Sequence, residues 1–271
     1  MGIDHYENFP VASVLLPGRL RRPVTLIYRF ARSADDFADE GDAPPEVRLR
    51  NLDAYQRELD LIENDEPSPS PFFVELGQMI RHHRLPISLF RDLLSAFAQD
   101  VVTTRYADFA AVLDYCRRSA NPVGRLLLHL YQATSEMNFA QSDNICTSLQ
   151  LINFLQDVDI DYRKGRIYFP LDEMQQLGIS EAQIAARDAS GAWSDFMQMQ
   201  IDRAADMLNA GAPLGRTLPG RIGLELRTIV SGGSRILEKL RVVHGDVFRY
   251  RPVLRPLDWA MMICRASFAY P

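Results

Sequence analysis

Apolar residues recur along this chain every three to four positions, the spacing of a helix with one buried face; the two-residue alternation of a half-buried strand is nearly absent. Val24–Arg32 reads as a helix running into the acidic stretch Ser33–Glu40, with Pro23 at its first turn, where a missing N–H is tolerated. Further helices fit 45–62, 72–83, 87–100 and 107–119. Asp65–Pro71 is the clearest linker, because three alternating prolines forbid a helix. Asn121-Pro122 interrupts the pattern, which restarts through Leu126–Tyr131. Ser142 is placed to cap the next long helix, and Gly165 to end the helical run that follows it. Ser180-Glu-Ala-Gln183 is a capping-box pattern, and helices fit 193–210, 219–243 and the region around Trp259. The expected fold is all-α: one domain over 1–271, a bundle of about ten or more helices with short connections around a central apolar cavity.

Two acidic pairs stand out within this pattern. Asp35 and Asp39 lie in the first helix, and Asp157 and Asp161 lie near the end of the helix after Ser142. The i, i+4 spacing puts both carboxylates of a pair on one helix face. Spacing alone is weak, since 35 acidic residues in 271 supply roughly four or five such pairs by chance. The surroundings add weight. Leu26, Ile27, Phe30 and Phe37 flank the first pair, and Leu149, Leu151, Ile152, Phe154 and Leu155 the second. Carboxylates beside such apolar stretches are costly without a cation. Arg29 and Arg32 precede the first pair, and Arg163, Lys164 and Arg166 follow the second. Gln150 and Asn153 share the helix face of Asp157 inside a mostly apolar stripe. Facing pairs of this kind form an oxygen-rich mouth on a greasy cavity. Such a mouth suits Mg²⁺, which takes one or two carboxylates and fills its shell with water and substrate phosphates.

Composition narrows the function further. The chain is 47% hydrophobic and 24% charged, ordinary for a globular protein, and its net charge of −5 argues against nucleic acid as a partner. Cys116, Cys146 and Cys264 have no metal or disulfide spacing and read as buried thiols in a reducing cytoplasm. The N-terminus lacks a signal-peptide pattern, and no apolar run approaches the ~18 residues that span a bilayer. The expected location is the cytoplasm, with peripheral contact at the inner membrane face for a lipid substrate. His82 and His83 read as a solvated helix end, and His129 as a core histidine. Ser148 and Thr147 have no accompanying base, and Asp100 with Arg105-Tyr106 reads as a local cap or ion pair.

Several segments together resemble the squalene/phytoene synthase family of head-to-head prenyl synthases. They are Leu16-Pro17, Tyr28–Asp36, Asp100–Tyr106, Tyr115-Cys116, Val123-Gly124, Leu149–Asn153, Asp157–Asp161 and Gly165–Pro170, and they cover about residues 6–245. The resemblance implies the isoprenoid synthase fold. It implies Mg²⁺ held by Asp35, Asp39, Asp157 and Asp161, and a catalytic cavity lined by Tyr28, Arg32, Gln150, Asn153 and Tyr115. Lys164 and Arg166 would lie over the diphosphate, and Phe30 would offer an aromatic face to a carbocation. The opening His5–Ser13, Ser119–Arg125, Gln156-Asp157 and Tyr162–Arg166 are most similar to bacterial members of the hopanoid pathway. Those members convert presqualene diphosphate and water into hydroxysqualene and diphosphate without NADPH. That implies functional coupling to a presqualene diphosphate synthase upstream and a flavin-dependent reductase downstream.

Three positions depart from the family pattern. Gln156 stands where most members have arginine, Ile160 replaces a frequent acidic residue, and Val243–Asp246 lacks a tyrosine that some members place there. These changes weigh against a synthase that condenses two prenyl diphosphates to presqualene diphosphate, squalene or phytoene. They make Gln156 a candidate for placing the capturing water. A non-catalytic relative acting as a binding or assembly factor is disfavoured, because all four aspartates are present.

Overall fold

A computed structural model describes residues 16–268 of the protein. The opening segment His5–Ser13 lies outside the described residues. Among those described, the regular elements are α-helices: α1 (Gly18–Asp39), α2 (Pro45–Glu63), α3 (Pro71–His83), α4 (Ile87–Val102), α5 (Phe109–Ser119), α6 (Asn121–Tyr131), α7 (Glu136–Gln156), α8 (Val158–Arg163), α9 (Leu171–Gln176), α10 (Glu181–Ala185), α11 (Trp193–Gly211), α12 (Leu214–Thr217), α13 (Gly220–Val242) and α14 (Pro256–Phe268). A single isolated bridge between Tyr106 and Pro170 is the only extended pairing among them.

Local chemistry accounts for most boundaries. Asp108 caps α5 by accepting from the Ala111 N–H, and Ser180 caps α10 through the Gln183 N–H, as the capping-box pattern predicts. Two starts differ from expectation. Pro23 sits inside α1, which begins at Gly18; burial of Leu20 and Pro23 offsets the one backbone bond that proline removes. The cap of α7 is Ser135, which accepts from the Asn138 N–H, and Ser142 lies buried within the helix. Asn121-Pro122 starts α6 directly, with proline in the first turn. Of the cysteines, Cys116 is buried, Cys146 half-buried and Cys264 exposed, so the expectation of three buried thiols fails at Cys264.

The helices pack around two apolar cores. One joins α1–α4 and is centred on Phe30, Leu59, Leu76, Phe90 and Leu93. The other joins α5 and α7 to α11 and α13 and is centred on Ile152, Trp193, Phe196 and Leu240. Helix α6 serves both, turning Leu126 and Leu130 into the first and Leu128 into the second. The most extensive helix–helix contact brings α11 onto α7. A Cβ on Gly211 would come within 2.5 Å of both the Gln141 carbonyl oxygen and Ile145, so only glycine permits this approach.

Between the cores lies an apolar cavity of about 370 Å³, walled by α1, α6, α7, α12 and α13. Helix α1 turns Val24, Ile27, Tyr28 and Ala31 into it, and α7 turns Ile145, Cys146 and Leu149.

Candidate functional site

Helical geometry carries the cavity walls up to a charged mouth. At 100° per residue, Asp35 and Asp39 lie on the α1 face that presents Tyr28 and Ala31 to the cavity, one and two turns further on. On α7 the same face runs from Cys146 and Leu149 through Gln150 and Asn153 to Asp157. Gln150 is half-buried and Asn153 exposed. They form a polar step between the apolar wall and the acidic end.

The second pair straddles a break. Helix α7 ends at Gln156, Asp157 adopts φ −107° and ψ 15°, and α8 begins at Val158. The Asp161 N–H still donates to the Asp157 carbonyl at 2.7 Å, so the one-turn relation survives. Helix α8 then closes in a Schellman turn: Gly165, at φ +81°, donates to Tyr162 at 2.9 Å, and the Arg166 N–H donates to Asp161 at 2.8 Å. This turn reverses the chain and aims Lys164 and Arg166 at the first pair. The reversed strand is pinned by Ile167 N–H to the Thr104 carbonyl at 3.0 Å and by Leu171 N–H to Tyr106 at 3.0 Å.

The two pairs are thereby brought together. Asp39 accepts from Lys164 at 3.1 Å and from Arg166 at 2.5 Å. Burial pushes the Asp39 carboxyl up, but Arg166 and Lys164 outweigh it and hold the group below its ordinary range. Asp35 and Asp161 lack such compensation. Burial, reinforced by Asp39, raises Asp35 to about 7 against the opposing charge of Arg32. Burial, reinforced by Asp157, raises Asp161 to about 8 despite Arg166. Arg32 is engaged locally, 3.2 Å from Asp35 and 2.7 Å from Asp36. Asp157 pairs with Arg251 at 2.6 Å.

Beneath this mouth is a buried network that sequence reasoning missed. Asp100 is 5% exposed and accepts from the Tyr115 hydroxyl at 2.6 Å and the Tyr168 hydroxyl at 3.1 Å. Its backbone carbonyl accepts from Arg166 at 3.0 Å. Burial lifts the Asp100 carboxyl to about 6, opposed by the Tyr115 hydrogen bond and the Arg166 charge. Of the two readings the sequence offered, a local cap or an ion pair, Asp100 is not a cap; its carbonyl supports Arg166, whose charge also acts on its carboxyl. Tyr168 stacks on Phe154 at 3.9 Å between centroids, and Tyr106 and Tyr115 each lie 5.6 Å from it. The signal available in the sequence was a lone aspartate in the apolar run of α4, near tyrosines.

Three expected site residues are placed differently from expectation. Phe30 is fully buried in the first core against Tyr55, Phe73 and Phe90, so its ring does not face the cavity. Tyr115 commits its hydroxyl to Asp100 and does not line the cavity. Gln156 is 2% exposed and donates to the Pro252 carbonyl at 2.7 Å, which holds the segment bearing Arg251 beside Asp157.

The donors fit a hard cation. All four aspartates supply oxygen, and burial together with a neighbouring carboxylate raises Asp35 and Asp161, a cost that a bound cation would relieve. Among the described residues, no three His, Cys, Asp or Glu side chains are close enough to hold a metal ion by themselves. A hard cation held by one or two of these carboxylates would complete its shell with water or substrate oxygens.

Helices around an apolar cavity, closed by paired carboxylates and cations, define an isoprenoid synthase fold. The model of the family described as squalene/phytoene synthase matches residues 4–258, and the chain belongs to that enzyme family. It is 34% identical to a hydroxysqualene synthase of Rhodopseudomonas palustris, over 94% of this chain and 86% of the relative. It is 39% identical to a hydroxysqualene synthase of Zymomonas mobilis, over 86% and 77% of the two chains. The crystal structure of squalene synthase HpnC from Alicyclobacillus acidocaldarius superposes with a TM-score of 0.82 at 34% identity, covering 89% of this chain and 90% of that one.

Proposed function

We propose that this protein is a hydroxysqualene synthase, which ionises presqualene diphosphate and ends the reaction with water. The observation that supports it most directly is the apolar cavity of about 370 Å³, whose α1 and α7 walls rise into the paired carboxylates and cations. The likeness to hydroxysqualene synthases over nearly the whole chain supports the substrate.

In this reading the carbon–oxygen bond breaks heterolytically and the electron pair leaves with the diphosphate. Asp35, Asp39, Asp157 and Asp161 would hold Mg²⁺, which when bound supplies Lewis-acid stabilisation of the leaving oxygens. Lys164 and Arg166 share the charge on the diphosphate, as does Arg251, which was not among the residues expected from the sequence. The cyclopropylcarbinyl cation rearranges in the cavity, where the apolar walls exclude bulk water and the Tyr28 ring can stabilise positive charge. Gln150 and Asn153, between cavity and mouth, are placed to orient one water. Its oxygen bonds to the cation, and its proton is lost to solvent or diphosphate.

The test is a product assay. Purified protein with presqualene diphosphate and Mg²⁺, without NADPH, should release an alcohol carrying oxygen from isotopically labelled water. Product without the label, or product formed from farnesyl diphosphate alone, would replace this reading with another head-to-head synthase.

A further inference from the structure

The turn after α10 puts an arginine where the backbone favours glycine. Helix α10 closes in a Schellman turn: the Arg187 N–H donates to the Ile184 carbonyl at 2.9 Å, and the Asp188 N–H donates to the Gln183 carbonyl at 3.0 Å. Arg187 takes φ +54°, in the left-handed region. Gly165 fills the matching position after α8. Ile184 is buried, so the turn is fixed to the body of the protein. A side chain kept at such a position, at a conformational cost, points to a use for that side chain.

The Arg187 guanidinium reaches two elements that frame the mouth. It lies 3.3 Å from the Asp159 carboxylate, and it donates to the Phe248 carbonyl at 2.6 Å. Asp159 is half-buried on α8, between Asp157 and Asp161, where Arg163 also meets it. Phe248 is buried, with its ring centroid 4.9 Å from that of Trp193, and it stands three residues before Arg251. The Phe248–Pro252 segment is therefore held at both ends, by Arg187 at Phe248 and by Gln156 at Pro252. Between those two fastenings Arg251 meets Asp157 at 2.6 Å. A planar guanidinium can address a carboxylate and a carbonyl at once, which a lysine ammonium cannot match in geometry. Arg187 is exposed, so its ion pair adds little to stability. Its effect lies in spacing, because a shift of about 1 Å in a reacting group can cost on the order of a hundredfold in rate.

We propose that Arg187 is a positioning residue for the mouth. It ties α8 to the Phe248–Pro252 segment, so that Asp157 and Arg251 are presented to a diphosphate at a fixed spacing. The proposal rests on the functional reading above, in which these two groups meet the metal and the leaving group.

Calorimetric titration with inorganic pyrophosphate and Mg²⁺ reads the mouth without turnover. Wild-type protein should bind, and Arg187→Gly should weaken binding roughly tenfold. Arg187→Lys keeps the charge without the fork and should recover part of the loss. Melting temperature separates positioning from stability. Glycine suits the left-handed backbone and offsets the lost side-chain bonds, so Arg187→Gly should melt close to wild type. In turnover of presqualene diphosphate, its KM should rise more than kcat falls. Wild-type pyrophosphate affinity in Arg187→Gly would overturn this proposal alone. So would weaker binding that tracks a lowered melting temperature and is not improved by lysine, which would leave Arg187 a purely structural role. No pyrophosphate binding by the wild type would overturn the functional reading, and this proposal with it.

Discussion

Gln156, at the end of α7, donates its side-chain amide to the backbone carbonyl of Pro252, 96 residues later in the chain. The bond is buried, and it fixes the segment whose neighbouring Arg251 meets Asp157. Gln156→Leu removes the donor and strands a buried carbonyl, at a cost of about 1–3 kcal/mol. Thermal unfolding should register that loss. If Gln156 acts by positioning Arg251, KM for the diphosphate substrate should rise more than kcat falls. An unchanged KM with a changed alcohol yield would return Gln156 to a role in water capture.

Asp157→Asn keeps the shape of the α7–α8 junction but removes a charge that Arg251 now balances. Turnover with Mg²⁺ should fall on the order of a hundredfold or more, with helical circular dichroism intact. Turnover near wild type would sink the metal-ligand assignment of this residue.

Asp258 gives the clearest acid dependence. Burial raises its carboxyl, but the Lys239 and Arg235 bonds outweigh that and hold it well below the ordinary carboxylate range. A lowered folded value means that the stabilisation is complete above the unfolded value of about 3.9 and is lost as pH falls towards the folded one. Asp258→Asn should cost about 2 kcal/mol at neutral pH. The gap from wild type in urea midpoint should narrow below about pH 4. A gap that persists undiminished in acid would show that packing, not charge, holds α14.

Gly211→Ala tests the α7–α11 crossing. The added methyl would strike the Gln141 backbone and Ile145, and backbone cannot rotate away. A loss of about 1–3 kcal/mol is expected, read as a lowered melting temperature. An unchanged melting temperature would mean that the two helices separate freely.

The acidic pairs were legible because i, i+4 spacing is a property of one helix and needs no tertiary knowledge. So were Lys164 and Arg166, since the Gly165 turn lies next to them in sequence. Phe30 was not. Helix α1 is apolar towards the first core and towards the cavity, and hydrophobicity alone cannot separate a packed face from a lumen. Asp100 was lost among the apolar residues of α4, because its partners Tyr115 and Tyr168 arrive from 15 and 68 residues away. Arg251 was invisible for the same reason, 94 residues from Asp157.

The ion pairs of the mouth neutralise Asp39 and Asp157 at rest. On the proposed reading, an entering diphosphate would draw Lys164 and Arg166 from Asp39, and Arg251 from Asp157. Its affinity is thus the difference between the bonds it forms with these cations and the internal pairs that must open to release them. The same exchange runs in reverse when the anion departs. On that reading the carboxylates would reclaim their cations, and the site would resist being clogged by the diphosphate it releases.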